Sequence, residues 1–173
     1  MKYLLPLLLF SLFACEGNTA ARKAARGPHF VTDPDYLFFK NTRLRHYQAE
    51  EQKGSATSYR LDKLMASEAT LIPVLLDNWL EDQATLRFDV RRTPTSQAVT
   101  EPFRLDVTKD GKWEAIRLSI PATNEEIAGI RQHLVTNREL RLVMASDTLI
   151  AFPGPARAAA REMLDDYLRL VAH

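Results

Sequence analysis

One cysteine among 173 residues rules out an internal disulfide, so core packing alone must hold the fold. Glycine is scarce, at six, which leaves few places where backbone can close on a phosphate. No glycine-rich phosphate loop, dinucleotide fingerprint or Gly-x-Ser-x-Gly elbow occurs. An excess of one charge is missing too. The 23 Lys and Arg against 22 Asp and Glu provide no basic stripe to displace counterions from phosphates, so no nucleic acid is expected as a partner. His29, His46, His133 and His173 lack the His-x-x-x-His or Cys-x-x-Cys spacing of a metal site, and neither a metal nor any other cofactor is expected. His133 falls between apolar positions of a helical stretch and reads as a satisfied, partly buried imidazole.

What is present is the composition of a folded domain, 46% hydrophobic and 26% charged, in a length that suits a single core. The apolar run Leu4 to Phe13 follows Lys2 and is interrupted by Pro6 and Ser11. A basic start and about ten apolar residues make a signal peptide, roughly half the ~20 residues of a membrane-spanning helix. The run ends Leu12-Phe13-Ala14-Cys15: an aliphatic residue, then a small residue directly before the chain's one cysteine.

This ending resembles the lipobox of bacterial lipoproteins, a resemblance confined to residues 1–15. It implies that Cys15 takes a diacylglyceryl group on its thiol, that a peptidase cuts before it, and that its new amino group is acylated by a fatty acid such as palmitate. Membrane lipid would then be the first partner, held at ~0.8 kcal/mol per buried methylene. An ordinary secretory signal, cut at Ala14 or Ala20, is the competing reading. Glu16, not aspartate, follows the cysteine, which by analogy with lipoprotein sorting points to the outer rather than the inner membrane of the cell envelope.

Three segments follow: a signal peptide over residues 1–14, a lipidated start and tether over 15–34, and one globular domain over 35–173. The tether has few large apolar residues to repay its ordering entropy. Its Arg22, Lys23 and Arg26 read as solvated charges or as contacts to anionic headgroups. Within the domain, Tyr36 to Ala49 fits a strand paired with Thr57 to Met65 across the turn at Gly54, or else a helix; the strand is favoured. Leu71 to Leu80 is apolar, and Ala84 to Arg92 alternates with period two. That alternation predicts Ala84, Leu86, Phe88 and Val90 inside, with Thr85, Arg87, Asp89 and Arg91 outside. Asp110-Gly111 predicts a tight hairpin between Phe103–Val107 and Trp113–Ile120, with Ile116, Leu118 and Ile120 inward.

Thr123-Asn124-Glu125-Glu126 is a capping box that starts a helix, and Asn137 closes it. Leu140 to Ala145 and Thr148 to Phe152 form two short strands. Gly154-Pro155 opens a last helix whose stripe is Ala156, Ala160, Met163, Leu164, Tyr167 and Val171, with Arg161, Asp165 and Arg169 paired along the opposite side. The fold class expected is α+β: a mainly antiparallel twisted sheet of about six to eight strands with two C-terminal helices packed on one face.

Two stretches are candidates for chemistry. Asp77, Glu81 and Asp82, beside Trp79, offer carboxylates for a hard cation or for acid and base work. The same residues suit a hairpin end, which is favoured, since no EF-hand pattern is present. Arg43, Arg45, His46 and Tyr47, with Tyr59 and Arg60 across the proposed pairing, form a cationic and aromatic set that fits an acidic glycan, peptide or protein partner. Cross-strand pairing on a solvated face explains the same residues and is favoured. The reading that follows is a non-enzymatic envelope lipoprotein that binds an envelope protein or glycan, or has a structural role. An envelope-polymer hydrolase using the Asp77–Asp82 stretch, or an inhibitor or immunity-type lipoprotein, are the alternatives.

Overall fold

The alternating segments all become strands, but they sort into two sheets rather than one. The structure is a computed structural model that describes residues 37–52, 56–78, 83–93, 96–98, 102–145 and 147–171. The segments expected to be signal peptide and tether, with Cys15, lie outside the described residues.

The fold is α+β, with eight strands in two antiparallel four-stranded sheets. In the first, β1 (Tyr47–Glu51), β2 (Ala56–Leu61), β3 (Leu71–Asn78) and β4 (Gln83–Val90) run in the order β1-β2-β3-β4. In the second, β5 (Arg104–Lys109), β6 (Lys112–Ile116), β7 (Leu140–Val143) and β8 (Thr148–Ile150) run β6-β5-β7-β8. The single sheet expected from sequence is corrected here, and the reason is topological. Both edges of β5 are taken by β6 and β7, while among the described residues the outer edge of β4 meets other chain only at an isolated Leu86–Ala122 bridge. Backbone joins the sheets at Thr70 and Leu71, whose N–H groups donate to the Ala151 carbonyl at 3.0 and 3.2 Å. Both sheets contribute to one hydrophobic core.

Among the described residues three α-helices accompany them: α1 (Asp62–Met65), α2 (Asn124–Val135) and α3 (Ala156–Val171). α3 buries its predicted stripe against β3, β4 and α1, and α2 packs on α3. The helical layer is therefore built in two steps, with α3 as the helix that covers the first sheet. Thr123 and Glu126 make the capping box, and Asn137 takes a positive φ of 56° beyond the end of α2. Asp165, expected to pair along α3, reaches across to Arg131 of α2.

Residues 37–51 combine the two readings of that segment. A π-helical turn (Phe39–Arg43) and a 3-10 turn (Leu44–His46) lead into β1, which pairs with β2 from Tyr47↔Leu61 to Glu51↔Thr57. Pro73 is tolerated in β3 because its two neighbours, Ile72 and Val74, carry the ladder to β4, and the pairing with β2 has already ended at Tyr59↔Leu75. The hairpin turn at Asp110-Gly111 has the positive φ angles, 50° and 75°, that a two-residue connection demands.

Two expectations about burial fail. Asp89 and Arg91 are buried rather than exposed, because Ile72 and Val74, on the same sheet face, are fully covered as well. Arg91 fills the cover below α1: its guanidinium donates to the carbonyls of Leu64, Met65, Ser67 and Ala69. Met65 O is a carbonyl of the helix end, which the helix itself leaves without a donor. Ile120, expected inward, is 83% exposed, since β6 ends at Ile116 and the chain leaves the sheet.

Candidate functional site

The cationic and aromatic set predicted from sequence is split: Arg43 and Tyr47 enter one internal network, Arg60 another, and Arg45 and His46 neither. Arg43 pairs with Glu162 and Asp166 of α3, the latter at 2.8 Å, and the Tyr47 hydroxyl donates to Asp166 at 2.6 Å. The hydrogen bond to Asp166, then Glu162, raises the Arg43 guanidinium above its ordinary range despite some burial. Burial first, with the Asp166 charge adding, pushes the Tyr47 hydroxyl up. Tyr59 packs edge-on against Phe39 at 6.3 Å. Arg60 belongs to the other network, bridging Glu50 at 2.8 Å and Asp89 at 3.2 Å. Arg45 is exposed and its Nε lies 3.4 Å from His46 Nε2.

Of the acidic stretch, Trp79, Glu81 and Asp82 lie outside the described residues. Asp77 is half-buried on β3, opposite Ala84 and Thr57. His133 is half-buried as expected, but its Nδ1 is buried and among the described residues finds no hydrogen-bond partner. Burial, then the charges of Arg138 and Lys109, hold its imidazole below the ordinary range.

Two buried carboxylates organise the sheets. Asp89 of β4 accepts from Arg87 at 2.8 Å and from Arg60. Asp106 of β5 accepts from Arg104 at 2.8 Å and Arg141 at 3.1 Å. Burial alone would raise the Asp106 carboxyl; hydrogen bonds from Arg104 and Arg141, with their charges, outweigh it and hold it below the usual range. Arg141 also lies over the Trp113 ring, 4.0 Å from its centroid.

Beside β4 the two sheets leave an apolar cleft of about 170 Å³. Three separated pieces of chain line it: Leu86 to Phe88 of β4, Pro102-Phe103 leading into β5, and Leu118 to Ala122 after β6. The third wall is pinned twice. Ala122 N–H donates to Leu86 O at 3.3 Å, and the Glu126 carboxylate accepts from the backbone N–H groups of Ser119 and Thr123. The Thr123 N–H above all, then Ser119, keeps Glu126 below the usual carboxylate range.

The cleft also reaches a strand edge. Since Leu86 bonds outward to Ala122, and Arg91 N–H donates inward to Thr70 O at 2.7 Å, the even-numbered positions of β4 present N–H and C=O away from β3. Phe88 is the next such position, and among the described residues its backbone has no hydrogen-bond partner. Sequence reasoning placed Leu86, Phe88, Phe103 and Leu118 in the core and missed the cleft. Its one local signal is the cluster of Leu118, Ile120, Pro121 and Ala122, which lies beyond the last strand residue, Ile116.

Among the described residues no group of three or more His, Cys, Asp or Glu is placed to hold a metal ion, and no helix is long and apolar enough to cross a membrane. Comparisons with protein-family models, with curated proteins and with solved structures find no match.

Proposed function

We propose that this chain is a non-enzymatic binding module of the cell envelope, held to membrane lipid by an acylated Cys15, on the outer rather than the inner membrane. Its cleft receives an extended segment of a partner envelope protein. One observation carries this reading: an apolar cleft opens directly onto an unpaired strand position, Phe88, at the edge of a sheet. Strand addition uses that combination, with main-chain hydrogen bonds for affinity and a pocket for one side chain in two.

The volume decides among occupants. A cavity of about 170 Å³ is close to one that admits a single benzene-sized group, ~150 Å³. It suits one aromatic or branched side chain and is too small for an acyl chain or a run of sugars. The carboxylates nearby are committed to structure, Asp89 to Arg60 and Arg87, and Glu126 to the wall and cap.

Selection from a random peptide library against the folded mature chain tests the cleft. Recovered peptides with alternating apolar residues should bind the parent and lose about tenfold or more on Leu118→Lys, which charges the pocket. Peptides that bind parent and variant alike contradict the reading. The anchor is tested separately, by the mass of natively produced protein at Cys15.

A further inference from the structure

The first described residues, Leu37 and Phe38, are adjacent, large and apolar, and 55% and 40% exposed. Among the described residues the other exposed large apolar side chains, Ile120, Val135 and Ile150, stand singly in other segments. Single exposed residues need no explanation; a pair set among cations does. The Arg169 guanidinium lies 5.3 Å over the Phe38 ring, and Lys40 and Arg45 are exposed in the turns that follow. Carboxylates that α3 brings to this end are engaged, Glu162 by Arg43 and Lys63, Asp165 by Arg131, Asp166 by Arg43 and Tyr47.

We infer that this patch seats the domain on a bilayer surface carrying anionic headgroups. The inference rests on the lipid-anchor reading for the nearness of that surface, not for the chemistry of the contact. The segment from Cys15 to Leu37 reaches roughly 75 Å at full extension, so an acylated cysteine keeps the patch close to headgroups and a weak contact gains effective concentration. Leucine and phenylalanine enter the headgroup boundary, and each cation near a negative surface adds an attraction that salt weakens. The tether carries Arg22, Lys23 and Arg26 against Glu16 and Asp33, one net positive charge that adds to the attraction of the patch for anionic lipid. Orientation follows from sheet order. Phe39, next to the patch, packs on Tyr47 of β1 and Tyr59 of β2, whereas the cleft lies along β4 at the opposite edge. Seating the patch keeps the cleft clear of the headgroups.

Cys15→Ser leaves the mature chain without a thiol, so Asn41→Cys, at an exposed position beside the patch, carries a single environment-sensitive dye. With phosphatidylglycerol–phosphatidylcholine vesicles the dye should brighten about twofold or more and be quenched from the lipid side, whereas the same dye at Ile120→Cys should stay in water. Phe38→Ser with Arg169→Ser should lower the bound fraction about tenfold. Equal binding to phosphatidylcholine alone, a dye at position 41 that stays in water, or a dimer that Phe38→Ser dissolves would each overturn the inference. An unmodified Cys15 in native protein would remove the anchor and leave the vesicle result standing.

Discussion

β4 carries Arg87-Phe88-Asp89-Val90 and β5 carries Arg104-Leu105-Asp106-Val107, nearly the same four residues put to different use. In each the aspartate is buried beneath two arginines, one from its own strand and one from another strand of its sheet, Arg60 or Arg141. Around Asp89 the sheet face is closed: Ile72 and Val74 beside it are fully buried, and the Arg60 side chain is 16% exposed. Around Asp106 the face is open, with Ala115 and Thr148 exposed and the Arg104 side chain 58% exposed. Local sequence therefore sets the ion triad, and what packs over it sets whether the triad belongs to core or surface.

The largest expected effect tests that contrast. Asp89→Ala strands two guanidinia in a covered site and should cost about 3–5 kcal/mol in urea unfolding, as for a broken buried pair. Arg91→Met comes next: it leaves the carbonyls of Met65, Ser67 and Ala69 without their side-chain donor, for a loss of about 2–4 kcal/mol in the same measurement. Asp106→Ala should cost only about 1–2 kcal/mol, because water screens and solvates an exposed partner. Equal losses at Asp89 and Asp106 would break the comparison.

The pH dependence sharpens it. The folded Asp106 carboxyl lies below its ordinary range, so the folded state binds fewer protons there than the unfolded state. Its contribution is complete above the unfolded value, about pH 4, and is lost as pH falls through the folded value. Asp106→Asn should flatten the stability curve in that acid window and leave it unchanged near neutrality in shape. Smallest of all, Glu126→Gln should cost about 0.5–1 kcal/mol in thermal unfolding through the weakened cap.

Features written within a few residues were legible in sequence. The Asp110-Gly111 turn, the Thr123–Glu126 box and the α3 stripe each depend on near neighbours, and each forms as expected. Features set by distant chain were not. Period two assigned Asp89 and Arg91 to water, because alternation names a face without saying whether anything covers it. Arg43 and Tyr47 looked like a free cationic surface since their carboxylates, Glu162 and Asp166, come from the far end of the chain. The cleft was hidden for the same reason: residues of β4, of the lead into β5 and of the exit from β6 meet only once both sheets have formed.

Strand addition at the cleft is tested most directly by amide hydrogen exchange at Phe88, with and without a saturating peptide selected on the folded chain. The account predicts that the peptide slows exchange of the Phe88 amide about tenfold or more, and that Leu118→Lys abolishes the protection. Binding that protects another edge, such as β1, β6 or β8, while the Phe88 amide exchanges unchanged, would contradict it.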